Sequence, residues 1–326
     1  MNLFILRKNE RINAWDSITS EESPEKIKSG VLKKYIQRAN LVERISFTFT
    51  NKINVLEKLE LITDEKLTNA ARVYFYRMPH LHIQMAVFAT REKSTFIDIS
   101  RGTGSVPEMI AIGEDYIKKN IRWRVVIEKS MQRDEIPEIP VVAIREALMN
   151  SFCHRNYRST QNNEIAIYSD RVEIYNPGTF PEELSPQEFI KGGGHSIKRN
   201  PKIADLMYYV KDIENFGTGI KKISDTCRNA GVKVEFRIEK LGFSVIFYRE
   251  EIHQNIEPEI DSMQTLSYEQ RISMILEFCV QPRTLKEIQD FAGIKTRQNF
   301  SKMYLTPLLN SGKLRMTHPD NPNDKR

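Results

Sequence analysis

The stretch "REALMNSFCHRNY", residues 145–157, restricts this chain more than any other. Its composition favours a helix, and Glu146, Asn150 and His154 recur at every fourth position within it. On a helix, residues four apart stack along one face. A carboxylate, an amide and an imidazole therefore share one column of a segment that is otherwise apolar through Ala147, Leu148, Met149 and Phe152. A plain account makes Glu146 a solvated residue and Asn150 a structural hydrogen bonder. In that account His154, beside Arg155, is a helix-end cation favoured by the helix dipole. A sharper account is a nucleotide site. There Asn150 holds Mg²⁺ against phosphates, Glu146 orients water and the basic end meets anionic oxygens.

The sequence downstream favours the sharper account. "NPGTF", "GGGHSIKRNP" and "FGTGI" follow in that order. Backbone N–H groups at a glycine-opened helix start bind anions, and glycine lets a phosphate approach the main chain. The candidates are Gly192, Gly193 and Gly194 with Lys198 and Arg199, then Gly217, Thr218 and Gly219. The loop that carries the first group is long for a connection, as functional lids are.

A chain of 326 residues is expected to form two or three domains. Residues 1–45 are polar, with a helix entered at Ser23-Pro24 and no core of their own. Residues 46–138 read as a small α/β sheet subdomain, with strands in "NAARVYFYR", "IQMAVFAT", "TFIDIS" and "RWRVVIEKS" and a helix in "VPEMIAIGEDYIKKNI". Residues 139–250 hold the opening helix and the strands "EIAIYS" and "RVEIYN", which turn at Asp170. The helices "PKIADLMYYV" and "GTGIKKISDTCRNAG" come next, then a hairpin turning at Leu241-Gly242. The acidic, unpatterned residues 251–264, with Pro258, read as a linker.

Residues 265–326 contain three helical pieces, the last two in helix-turn-helix spacing around Gly293. Thr296, Arg297, Gln298, Asn299 and Lys302 open the final helix and are of the types that reach base edges and phosphates. Residues 262–326 carry ten Lys/Arg against six Asp/Glu, which suits DNA. Protein contacts or pairing of two copies is the other reading of this module. No apolar run reaches membrane-spanning length, and the start lacks the pattern of a signal peptide. Cys153, Cys227 and Cys279 form no Cys-x-x-Cys pair, so a reducing, cytoplasmic setting is expected. The net charge of +6 permits an acidic partner.

The words "KLTNAA", "AIREALMNSFCHRNY", "RVEIYNPGTFPEEL", "RNPKIADLM" and "IENFGTGIKKI" resemble the C-terminal module of RecG-related proteins. That family is also described as predicted transcriptional regulators with a helix-turn-helix. Its module is a divergent relative of the GHKL ATPases, such as gyrase and the histidine kinases. The resemblance implies an α+β fold, in which a GHKL (Bergerat)-like α/β sandwich joins the small sheet subdomain and a winged helix-turn-helix follows. It also implies that Glu146 and Asn150 form the N-box, Asn176-Pro177-Gly178 the adenine-binding turn, and Gly217-Thr218-Gly219 the phosphate glycines. The cofactor so implied is ATP or a related nucleotide with Mg²⁺, held through Asn150.

Two departures temper these expectations. GHKL relatives carry Asp where this chain has Asn176, and an amide accepts a hydrogen bond more weakly than a carboxylate. Hydrolysis through Glu146 is therefore expected to be feeble. The chain also lacks a Gly-x4-Gly-Lys-Ser/Thr phosphate loop, so helicase activity is not expected. An AlbA-type (Schlafen-like) domain precedes the module in many relatives, and "INAWDSITSEESPEKI" resembles the segment that follows that domain. The reading at this stage is a DNA-binding transcriptional regulator with a nucleotide-holding domain. A slow ATPase and an interaction scaffold with degenerate sites are its alternatives.

Overall fold

The computed structural model describes residues 14–127, 133–181, 184–193, 195, 197–214, 217–249, 268–294 and 296–317. They belong to two units, residues 1–250 and 251–326. The first begins with helices α1 (Ser29–Leu41) and α2 (Lys52–Lys58), a hairpin of β1 (Ile62–Thr63) and β2 (Lys66–Leu67), and α3 (Asn69–Phe75). Next come β3 (His82–Phe88), β4 (Phe96–Thr103), α4 (Val106–Asn120), the hairpin β5 (Trp123–Ile127) and β6 (Arg133–Pro137), and α5 (Val141–Cys153). Strands β7 (Asn163–Ile167) and β8 (Arg171–Pro177) precede α6 (Pro186–Ile190), α7 (Pro201–Tyr209) and α8 (Gly219–Asn229). A hairpin of β9 (Val234–Ile238) and β10 (Gly242–Tyr248) completes the unit.

Six strands form one mixed sheet in the order β4-β3-β7-β8-β10-β9. Strands β3 and β7 run parallel, with Met85 opposite Ile165, and their other neighbours are antiparallel. The small sheet expected within residues 46–138 is therefore not separate. Left unpaired, β3 would expose a row of N–H and C=O groups beside buried Ile83 and Met85, and pairing with β7 satisfies them. One core runs from Ile27 to Phe247, through the boundaries drawn at 45/46 and 138/139.

Three local expectations are corrected. "NAARVYFYR" is helical rather than extended, because the Thr68 hydroxyl accepts the N–H of Ala71 and caps α3. Burial of Ala70, Ala71, Val73, Tyr74 and Phe75 then outweighs the β preference of Val and Tyr. Helix α1 starts at Ser29 rather than at Ser23, since Pro24–Lys26 forms a 3₁₀ turn that drives Ile27 into the core. The last hairpin turns over residues 239–241, and Gly242 already opens β10.

Two long-range ties hold the helices in place. Arg145 on α5 donates to both oxygens of Glu114 on α4, at 2.8 and 2.9 Å. Asp16 is fully buried, and its Oδ2 accepts the N–H groups of Lys202 (2.7 Å) and Ile203 (3.1 Å) at the start of α7. Burial raises that carboxyl to about 6, against the lowering effect of the two N–H bonds.

The second unit contains α9 (Tyr268–Phe278), α10 (Leu285–Phe291) and a helical run made of α11 (Arg297–Phe300), a wide π turn (Ser301–Leu305) and α12 (Thr306–Asn310). Ile275, Ile288, Ala292, Phe300, Tyr304 and Leu308 form its core. Thr284 and Glu287 close a capping box on α10. No strand is present among the described residues of this unit, which end at Thr317. The expected linker, 251–264, and the chain after Thr317 lie outside the described residues. No described helix is long and apolar enough to cross a membrane.

Candidate functional site

Helix α5 packs against α8 and β8. A cavity of about 370 Å³ opens between these elements, β10 and the loop that follows β8. Glu146, Asn150 and His154 all line it, as their common helical face requires. Glu146 is 5% exposed. Its Oε1 accepts a hydrogen bond from Asn150 Nδ2 at 3.4 Å, and its Oε2 accepts one from Lys222 Nζ at 2.9 Å.

The first residue of α8 stands directly against this pair. A Cβ added to Gly219 would lie 2.7 Å from Asn150 Nδ2 and 2.8 Å from Glu146 Oε1, closer than real Cβ atoms come. A side chain at this position would push the ends of both polar side chains aside. Among the described residues no side chain caps the N–H groups of that first turn, which carries the positive end of the helix dipole. Gly217 also lines the cavity, whereas Thr218 occupies the cap position outside the lining.

The opposite wall is apolar. Phe180 and Phe243 stack with centroids 5.2 Å apart, and Phe236 stacks on Phe243 at 6.4 Å. Asn176, 4% exposed, lines the cavity from the end of β8. Gly178 follows at φ +135°, with its N–H on Leu241 O.

His154 caps the C-terminus of α5. The crowded cavity desolvates it and the Arg199 cation repels its proton, which pushes its pKa down to about 4. The imidazole is therefore neutral at pH 7. Arg199 is exposed, its pKa is lowered by desolvation, and it donates from Nη2 to Thr179 O at 2.7 Å. Lys198 lines the cavity but is paired with Asp205 at 2.9 Å.

Ile197, Lys198 and Arg199 of the glycine-rich loop line the cavity, whereas Gly192 and Gly193 do not. Gly192 N–H donates to Phe189 O and Gly193 N–H to Glu188 O, so both glycines close the C-terminus of α6. Gly194 lies outside the described residues.

The phenylalanine wall escaped the sequence reading, as did Lys222 and Asn200, which stand beside the cavity lining. Lys222 lies one turn beyond Gly219, and "GIKKI" held the signal, though nothing local pairs it with Glu146. Asn200, 1% exposed, donates from Nδ2 to Cys153 O and Arg155 O, each at 2.8 Å, and so fixes the chain just after α5. Its place before Pro201 at a helix start was the available cue.

In the second unit, Thr296, Arg297, Gln298, Asn299 and Lys302 are all exposed, while Phe300 and Tyr304 turn inward. Arg297, Gln298 and Lys302 frame a shallow surface depression with Ser301 and Thr306.

Residues 161–247 match a family model described as "Putative ATP-dependent DNA helicase recG C-terminal". Residues 270–326 match one described as "Filamentation induced by cAMP protein Fic-like, C-terminal domain". No curated protein matches the chain. The crystal structure of the DIP2311 protein from Corynebacterium diphtheriae has a similar fold, at TM-score 0.59 and 15% identity over 89% of this chain. This chain spans 59% of that protein's length. The RecG-like match begins just before β7 and ends within β10, so it takes in the Asn176 turn and the Gly219 helix start. That part of the chain is similar to a RecG-related, ATPase-like module.

Proposed function

We propose that the first unit binds an ATP-class nucleotide in this cavity and that the second unit binds DNA, so that the chain acts as a nucleotide-holding DNA-binding regulator. The observation that carries the first half is the contact of Gly219 with Asn150 and Glu146. It sets the uncapped start of α8 at the polar end of a cavity whose other wall is aromatic. Phosphates suit the helix start and Arg199, and a base suits the phenylalanine wall with the Asn176 amide at its edge. The RecG-like match supports the same reading.

Asn150→Ala is expected to weaken ATP about tenfold, the usual cost of one charge-assisted hydrogen bond. Thermal unfolding should change little, since Asn150 is only partly buried. Titration calorimetry on both proteins checks this. Equal affinity in the two would remove Asn150 from the site, and absence of binding by wild type at millimolar ATP would remove the site itself.

For DNA, the supporting observation is the exposed, basic opening of the 297–310 helical run over a core that faces the other way. We assign it as the recognition helix of a winged helix-turn-helix. Lys302→Ala should reduce the slope of log affinity against log salt by about one unit. Arg297→Ala should cost roughly 1–3 kcal/mol and relax specificity if its guanidinium reads a base. Mobility shifts on fragments upstream of the gene measure both effects. Equal low-salt binding by wild type and the double variant would end the DNA assignment.

A further inference from the structure

The GHKL resemblance implies Mg²⁺ beside Asn150, but the residues present do not fit it. Mg²⁺ demands oxygen ligands and is generally held by one or two carboxylates together with substrate phosphates. The two described carboxylates that line this cavity are already ion-paired, Glu146 with Lys222 at 2.9 Å and Glu214 with Arg44 at 2.9 Å. A dication placed here would meet an ammonium that already neutralises the nearest carboxylate.

We infer that Lys222 is the resident cation of this site, so that nucleotide binding does not depend on a divalent metal. The inference rests on the nucleotide reading above. Lys222 lies on the first turn of α8, where its backbone N–H donates to Thr218 O at 2.8 Å. Its side chain is 46% exposed, whereas that of Glu146 is 5% exposed. The carboxylate is fixed and the ammonium is free to swing. With the cavity empty, Lys222 balances the buried charge of Glu146, which would otherwise be costly. With a polyphosphate seated at the α8 N-terminus, the same flexible stem carries the ammonium a short way to the phosphate oxygens, which a lysine contacts as a point charge. Lys221, its neighbour in sequence, is not equivalent, because it pairs with Asp225 along the helix.

The test is titration of ATP into the full chain, in EDTA and in millimolar Mg²⁺, for wild type, Lys222→Met and Lys222→Arg. Wild type should bind with dissociation constants within about threefold of each other in the two buffers. Lys222→Met should bind at least about tenfold more weakly in EDTA and recover part of that loss with Mg²⁺. Lys222→Arg keeps the charge and should stay near wild type, which separates loss of the cation from damage to the fold. Two results overturn the inference and leave the nucleotide site standing. One is wild-type binding that falls about tenfold on removal of Mg²⁺, and the other is Lys222→Met binding like wild type in EDTA. Wild type that binds in neither buffer overturns the nucleotide reading, and this inference with it.

Discussion

Gly178→Ala is expected to destabilise the first unit by on the order of 3 kcal/mol and to abolish measurable nucleotide binding. The backbone there has φ +135°, a region that L residues reach only with strain of about 1–3 kcal/mol. Space is also lacking. A Cβ would lie 2.7 Å from the His154 carbonyl oxygen and 3.1 Å from the Asn156 nitrogen, and neither is a side chain that can swing aside. Relief requires the chain after α5 to part from the end of β8, breaking the Asn156 N–H to Pro177 O bond of 2.7 Å. That movement separates His154 from Asn176 and opens the cavity rim. Urea unfolding and ATP titration on the same variant check both halves. An unchanged unfolding midpoint would show that the turn is looser than described.

Phe152→Ala should have the larger effect on stability, roughly 3–5 kcal/mol. Phe152 is completely buried on the face of α5 opposite the polar column, within the core shared by the helices and the sheet. Truncation leaves a void that close-packed neighbours fill only in part. Its carbonyl accepts the Tyr157 hydroxyl at 2.9 Å, and Tyr157 stacks on Trp15 at 4.7 Å, so the loss extends to the N-terminal segment. The unfolding midpoint should fall while the slope stays constant, because the surface exposed on unfolding hardly changes. A loss below about 1 kcal/mol would place Phe152 outside the core.

Much of this molecule was legible from local pattern. Helix α4 could be bounded from Pro107 and Lys118-Lys119, and β7, β8 and the final hairpin from alternation and turn residues. The polar column of α5 follows from its spacing alone, since three residues four apart on a helix share a face wherever that helix is packed. The α3 segment misled for the complementary reason. Val and Tyr favour strands only where a sheet is there to receive them, and "NAARVYF" meets a Thr68 cap and a helical core instead. Within the glycine-rich loop, the sequence could not show that Gly192 and Gly193 donate their N–H groups to the end of α6, because glycine serves helix ends as readily as phosphates.

The sequence by itself determined the type and order of most elements, the shared face of Glu146, Asn150 and His154, and the glycine-opened start of α8. These depend on backbone period and on short-range sterics, which neighbours in the chain settle between themselves. Tertiary structure alone decided which distant groups meet. It joined β3 to β7, brought Asp16 to the start of α7, and set Lys222 against Glu146 across 76 positions of sequence. No periodicity encodes such a partner. A buried carboxylate requires a compensating charge or donors, but several residues of the right type could supply them. Only the packing of α8 on α5, with Gly219 lacking a side chain at the contact, selects Lys222.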